Sequence, residues 1–229
     1  MKKYKFTEET IYVDGRTLYR IEALKDFSDV KKGNKGGFVE KENNLSQYGD
    51  SWVYDDAKVF GNAEVYDDAK VYEFAIVQGN AQVYGNARVY GNARVYDYAE
   101  VYDNAQVYGN SKVFENSEVS FDAKVYDDAK VYEYAMVQGD AKVYGNAEIR
   151  TNACIYGDAV IDSIGDYIVF KNFWSSGRSF TWTRSNDMWK VGCFYGTGEE
   201  LIKKAYKESE ISGREYERIV KYVETIKGK

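Results

Sequence analysis

The residues of this chain that could do chemistry lie mainly in its C-terminal third, where aromatic and basic side chains alternate. They are Trp174, Arg178, Trp182, Arg184, Trp189 and Lys190. An indole face can stack on a nucleobase and a guanidinium group can pair with a phosphate, so this set indicates a nucleotide-like ligand. A tryptophan-rich core whose basic side chains reach into solvent is the alternative interpretation.

Catalytic chemistry is limited by what the composition lacks. The 229 residues include no histidine, which excludes Ser-His-Asp and Cys-His nucleophile pairs and His-containing zinc sites. Cys154 and Cys193 have no metal-ligand spacing and are expected to be reduced thiols. No cofactor is expected. The paired carboxylates recur as turn residues, so we expect solvated corners and no metal site; stacked oxygen ligands for a hard cation such as calcium are the alternative. These pairs are Asp55-Asp56, Asp67-Asp68 and Asp127-Asp128.

The overall composition is that of a globular protein, with 44% hydrophobic and 17% aromatic residues. Neither a secretory signal nor an apolar run long enough to span a membrane is recognisable, so we expect a cytoplasmic protein without membrane contact. Residues 53–160 hold nine basic and eighteen acidic side chains. This excess of negative charge repels phosphates, so direct binding of DNA or RNA by this region is not expected.

A six-residue repeat runs without interruption from Val53 to Val160 in eighteen units such as VYGNAR. The first position is Val or Ile, the second is usually Tyr, the third and fourth are turn residues, and the fifth is Ala or Ser. A β-branched residue and a small residue at fixed spacing can fill a thin core, and Asn or Asp tolerates the left-handed corner conformation. The repeat therefore predicts a β-solenoid.

This pattern resembles the hexapeptide repeat of left-handed parallel β-helix proteins. The resemblance implies a left-handed rise and three six-residue units per triangular coil, so that the eighteen units give about six coils of eighteen residues. A flatter coil of two units is the alternative, because the segment that starts at Tyr66 returns sixty residues later at Tyr126, a multiple of twelve. Many proteins with this repeat are acyltransferases with a catalytic histidine, which this chain lacks, so no enzyme activity is expected.

Tyrosines and departures from the repeat supply a candidate interface. With three units per coil, one face carries an unbroken column of second-position tyrosines, namely Tyr54, Tyr72, Tyr90, Tyr108, Tyr126 and Tyr144. Apolar or aromatic residues replace polar ones at Phe74, Ile76, Tyr134 and Met136. Rigid tyrosine-rich or apolar faces favour protein binding. The alternatives are mutual stabilisation of the stacked rings and local packing beneath the terminal domain.

The repeat divides the chain into three parts. Residues 1–46 are predicted to form an N-terminal β-hairpin cap that turns at Asp14-Gly15, and residues 47–162 the solenoid. Residues 163–229 are predicted to form a small α+β domain with three short strands and two helices. Capping boxes are predicted at Thr197 with Glu200 and at Ser212 with Glu215. The fold class is therefore mainly β, with caps that cover the open ends of the solenoid.

A second resemblance concerns the order of the segments. GRTLYRIEALKDF and GGFVEKENNLS precede VYGNA-type repeats and a Trp-rich tail, an arrangement similar to uncharacterised phage and prophage proteins often labelled as transferases. That group of proteins has no assigned chemistry, and we expect this chain to be a non-enzymatic binding protein. In a phage setting it would block or sequester a host component, including its defences, in the host cytoplasm. Its partner would be a host or phage protein, or a second copy in a dimer or trimer. A nucleotide-binding sponge, a self-assembling structural protein and an acyltransferase are the alternatives.

Overall fold

The computed structural model describes residues 2–227 and begins with an antiparallel hairpin. Strands β1 (Tyr4–Val13) and β2 (Arg16–Ala23) pair across a turn at Asp14 and Gly15, which have positive φ angles of 48° and 79°. Strand β3 (Lys35–Val39) pairs with β2 on one side and, in parallel, with the solenoid strand β5 (Lys58–Val59) on the other. The N-terminal hairpin therefore continues directly into a sheet of the solenoid.

The repeats form short strands of two residues each, which begin at the sixth position of one unit and end at the first position of the next. They are β4 (Trp52–Val53), β5 (Lys58–Val59), β6 (Glu64–Val65), β7 (Lys70–Val71), β8 (Ile76–Val77), β9 (Gln82–Val83), β10 (Arg88–Val89), β11 (Arg94–Val95), β12 (Glu100–Val101), β13 (Gln106–Val107), β14 (Lys112–Val113), β15 (Glu118–Val119), β16 (Lys124–Val125), β17 (Lys130–Val131), β18 (Met136–Val137), β19 (Lys142–Val143), β20 (Glu148–Ile149), β21 (Cys154–Ile155) and β22 (Val160–Ile161).

Every third strand stacks in parallel, so the solenoid has three faces. Face one is formed by β4, β7, β10, β13, β16, β19 and β22; face two by β5, β8, β11, β14, β17 and β20, with β3 at its edge; face three by β6, β9, β12, β15, β18 and β21. Val71 pairs with Val89, and Val89 with Val107, so each coil holds three six-residue units. The register confirms the three-unit coil and shows that the two-unit alternative was wrong.

The solenoid has about seven turns, compared with the six predicted. The additional turn comes from residues outside the regular repeat, because Phe38 pairs with Lys58 and Leu45 bridges to Val65. The residues of both pairs are two positions further apart in the chain than those of the regular coils, such as Val71 and Val89. Counting six-residue units therefore does not detect this turn. A short 3₁₀ helix, Glu42–Asn44, lies between these two contacts.

The solenoid core is as thin as the repeat predicts. The first-position Val and Ile side chains and the fifth-position Ala side chains are completely buried. Ser111 and Ser117 occupy fifth positions, and their hydroxyls donate to the carbonyls of Tyr108 and Phe114, three residues earlier. Each buried valine contributes roughly 1.5 to 3 kcal/mol of transfer free energy, so the stacked Val and Ala columns hold the coils together.

The C-terminal residues form a four-stranded antiparallel sheet in chain order and two helices. The elements are β23 (Tyr167–Lys171), β24 (Ser179–Thr183), β25 (Met188–Val191), β26 (Phe194–Gly196), α1 (Gly198–Glu208) and α2 (Glu210–Ile226), preceded by the 3₁₀ helix Ile164–Asp166. The third predicted strand is a hairpin, because the chain turns between Val191 and Phe194. In the part of the chain that the structure describes, no helix is long and apolar enough to cross a membrane.

One of the two predicted helix caps is confirmed. Thr197 accepts a hydrogen bond from the amide of Glu200, whose carboxylate accepts one from the Thr197 amide. The prediction at Ser212 was wrong, because α2 begins earlier in the chain. Ser209 is the N-cap and accepts from the amide of Ser212, which lies buried inside the first turn.

Candidate functional site

The predicted tyrosine column forms a continuous stack along face one. Tyr72, Tyr90, Tyr108, Tyr126 and Tyr144 lie with neighbouring ring centroids 4.7 to 5.1 Å apart and planes within 8° of parallel. Tyr54, at the N-terminal end, meets Tyr72 edge-on at 6.0 Å. The rings are spaced by the separation of stacked strands, about 4.8 Å, so the solenoid backbone fixes each ring against the next.

A column of side chains that are basic except for Gln106 runs beside these rings. The first residues of the face-one strands pair in register, and from β7 to β19 they are Lys70, Arg88, Gln106, Lys124 and Lys142. Lys70 forms an ion pair of 2.6 Å with Asp29 of the N-terminal loop, which also accepts from the Tyr54 hydroxyl at 2.8 Å. These contacts lower the pKa of Asp29 to about 2. Within residues 2–227, Arg88, Lys124 and Lys142 form no ion pair with a carboxylate.

Face three carries the opposite charge. The first residues of its strands are Glu64, Gln82, Glu100, Glu118, Met136 and Cys154. The hydroxyls of Tyr84 and Tyr102 donate to Glu100 and Glu118 of the next coil at 3.1 and 3.2 Å. These two tyrosines of face three are therefore hydrogen-bonded within the chain.

Two tyrosines of face one, Tyr108 and Tyr126, have no such glutamate in the next coil. The residues of the next coil that correspond to these glutamates are, for Tyr108 and Tyr126, Lys124 and Lys142, whose ammonium groups donate but cannot accept. The hydroxyls at these positions therefore lack the carboxylate acceptor that face three provides. Burial raises the pKa of Tyr108 and of Tyr126 above its usual value. Face one between Arg88 and Lys142 thus presents neutral rings, hydroxyls and cations together.

The departures from the repeat separate into two groups. Phe74 and Tyr134 lie at corners of the coils with 59% and 61% of their surface exposed. Ile76 is half-buried against the small cluster of Leu18, Phe38 and Phe60 under the N-terminal hairpin. Met136 is half-buried and lines a cleft beneath the C-terminal sheet. The apolar residues at 76 and 136 therefore face the two end caps, whereas Phe74 and Tyr134 face solvent.

The C-terminal candidate residues are divided between the two sides of their sheet. Trp182 and Trp189 are opposite each other in register and, like Phe180, are buried beneath the helices with 1% of their surface exposed. Trp174 packs edge-on against Tyr216 at 4.9 Å. Successive residues of a strand point to opposite faces, so Lys190 lies on the other side. The tryptophans therefore belong to the domain core and do not form one ligand site with the basic residues.

The basic residues lie in different places. Arg178 and Lys190 both line the cleft between the sheet and the last coils, whereas Arg184 is exposed just beyond β24 and outside that cleft. The ammonium group of Lys190 lies 4.3 Å from the ring centroid of Tyr156 in the last coil. The cleft also contains residues that were not predicted, among them Lys171 and Gln138.

Comparisons with known proteins agree with the solenoid. The YdcK β-solenoid repeat matches residues 81–97 and 87–103. A 63-residue stretch is 38% identical to a protein of Escherichia coli strain K12 named "Uncharacterized acetyltransferase YdcK", covering 24% of this chain and 19% of that protein. The chain thus matches about a fifth of the relative's length. The repeat and the stacked coils together make this protein a hexapeptide-type β-solenoid.

Proposed function

We propose that this protein is a non-enzymatic binding scaffold and that face one, from Arg88 to Lys142, receives an acidic surface of a protein partner. The observation that carries the proposal is the unbroken stack of tyrosines beside cations without a carboxylate partner within residues 2–227. Stacked rings lose little conformational freedom on binding, and tyrosine and arginine are the residues enriched where binding energy is concentrated.

Because the chain resembles phage and prophage proteins, we place the proposed scaffold in a phage-infected bacterial cell. In an infected cell a rigid rod about seven coils long would act by occupying a host protein's functional surface, including a component of a defence system. Such a role needs no catalytic group and is compatible with a chain without histidine. The partner's acidic character follows from Arg88, Lys124 and Lys142.

The experiment is a comparison of matched charge reversals. The wild type, Arg88→Glu with Lys124→Glu on face one, and Arg94→Glu with Lys112→Glu on face two are immobilised and exposed to bacterial lysate. A partner retained by the wild type and by the face-two variant, but lost from the face-one variant, supports the proposal. Equal loss in both variants, or no retained protein, contradicts it. Light scattering of the purified chain distinguishes a foreign partner from a second copy.

Acyl transfer is the second candidate, because the similar protein of Escherichia coli carries the name of an acetyltransferase. The absence of histidine from this chain removes the base that such enzymes commonly use. An acetyl-CoA turnover assay with a panel of amine and hydroxyl acceptors tests it. Saturable product formation by purified protein would favour the enzyme over the scaffold.

A further inference from the structure

The cleft between the solenoid and the C-terminal sheet has the composition of a ligand site. It has a volume of about 750 Å³, within the range of small-molecule sites. The described residues that line it include the basic residues Lys171, Arg178 and Lys190 and no carboxylate. Among residues 2–227, none of these three cations forms an ion pair with Asp or Glu. Three uncompensated positive charges around one cavity favour an anionic ligand.

On face three, the sequence of the repeat departs from its usual pattern next to the cleft. On face three the second-position column runs Tyr66, Tyr84, Tyr102, Ser120, Gln138 and Tyr156, so two smaller side chains interrupt the rings. In the neighbouring column the carboxylates end at Glu118 and are followed by Met136 and Cys154. Both changes occur at the C-terminal end of this face. They remove bulk and negative charge from the region that the C-terminal sheet covers.

The sheet supplies the opposite wall. Val169 pairs with Thr181, and Thr181 with Lys190, so these three side chains share the face of the sheet that is turned to the solenoid. The amide of Cys154 donates to the Thr181 hydroxyl at 2.9 Å and holds this face against the last coil. Met136 and Val169 make one part of the cleft apolar. The cleft thus combines a cationic part with an apolar part.

We propose that this cleft binds a nucleoside diphosphate, with the phosphates among Lys171, Arg178 and Lys190 and the base against Met136 and Val169. A diphosphate carries about as many negative charges as the cleft has cations, and guanidinium and ammonium groups are the usual phosphate partners. This site is separate from face one and does not depend on the proposed binding of a protein there.

Calorimetric titration of the full chain with ADP tests the proposal. The expected result is saturable binding of one ADP per chain, with pyrophosphate bound at least about tenfold more weakly, because it cannot contact the apolar wall. Arg178 is exposed in the β23–β24 loop, so Arg178→Ala should fold normally and weaken ADP binding by at least about tenfold. Lys112→Ala on face two should leave the Kd unchanged.

A second variant fills the cleft without removing a charge. Gln138→Tyr restores the tyrosine that the repeat has elsewhere, and we expect it to abolish ADP binding while the melting temperature is retained. Gln78→Tyr makes the same change at a second-position glutamine of face two and should bind ADP as the wild type does. The proposal is overturned if ADP gives no saturable heat, if pyrophosphate binds as tightly as ADP, or if Arg178→Ala and Gln138→Tyr bind like the wild type.

Discussion

The amide nitrogen of Cys154 donates a hydrogen bond of 2.9 Å to Oγ1 of Thr181. One coil earlier on face three, the amide of Met136 donates to the carbonyl of Ala153 in the next coil. Cys154 lies in the last strand of that face, so a side chain of the C-terminal sheet takes the place of the missing coil. The amide of Val160 is satisfied in the same way by the Ser185 hydroxyl at 2.7 Å. The C-terminal sheet therefore caps the open edge of the solenoid.

Replacing the acceptor tests this cap. Thr181→Val keeps the shape of the side chain but leaves the Cys154 amide without a partner in a buried position. We expect the free energy of unfolding to fall by about 1 to 3 kcal/mol, measured by chemical denaturation. Thr10→Val, at an exposed position of β1, is the control and should change it by less than about 0.5 kcal/mol. Equal stability of the two variants would show that the hydrogen bond does not hold the cap.

The small residues at the fifth position limit the side-chain volume that the solenoid core can hold. Ala105→Leu enlarges the side chain at a completely buried position, and we expect a loss of about 1 to 3 kcal/mol in the free energy of unfolding. Ala105→Ser should cost less, because the hydroxyl can donate to the carbonyl of Tyr102 as Ser111 does to Tyr108. Denaturation curves of both variants check this. A leucine tolerated as well as serine would contradict the thin core.

The tyrosine stacks predict loss of stability at alkaline pH. Burial raises the pKa of Tyr66 to about 12 and raises those of Tyr90 and Tyr108 above the usual 10. Between the unfolded and folded pKa values the native state holds more protons, so stability present below pH 10 is lost as the pH rises towards 12. Ultraviolet absorbance of tyrosinate should show delayed ionisation in the folded protein. Ionisation at the pH of free tyrosine, with no loss of stability, would contradict the stacks.

The buried Lys3 makes the free energy of unfolding rise with pH, at lower pH than the tyrosines make it fall. Its side chain is buried in the N-terminal cap, where Nζ donates to the Ser51 carbonyl at 2.7 Å, and burial lowers its pKa to about 8. Between pH 8 and 10.5 the unfolded chain binds the extra proton, so this residue makes stability rise with pH over that range. Lys3→Met should remove the rise. An unchanged slope of unfolding free energy against pH in the variant would contradict this assignment.

Periodic features of the protein were accessible from the sequence, and contacts between non-repeating parts were not. The fixed spacing of Val, Tyr and Ala predicts the core and the tyrosine column from Tyr54 to Tyr144, because each residue type recurs at the same position of every coil. Alternation along a strand also predicts that Trp189 and Lys190 face opposite sides, a signal that would have separated the tryptophans from the basic residues. The interruption of the face-three tyrosine column at Gln138 was a further sign of the cleft.

The repeat predicts a cap for each open end, but the docking position of the C-terminal sheet could not be predicted. It depends on single hydrogen bonds such as that between Cys154 and Thr181, 27 residues apart, which no repeat or spacing rule specifies. Lys171 was not recognised for the same reason, because only the docked sheet brings it to the cleft. The start of α2 at Glu210 was missed because two serines, Ser209 and Ser212, are both suitable N-cap residues.

Site-specific photo-crosslinking tests the binding role of face one most directly. A photoreactive phenylalanine analogue is introduced at position 108 on face one or at position 102 on face three, and the cells that produce the protein are irradiated. We predict a discrete adduct with an acidic protein from the variant labelled at Tyr108 and none from the variant labelled at Tyr102. Adducts of the same kind from both positions, or from position 102 alone, would contradict the proposal that face one is the binding surface.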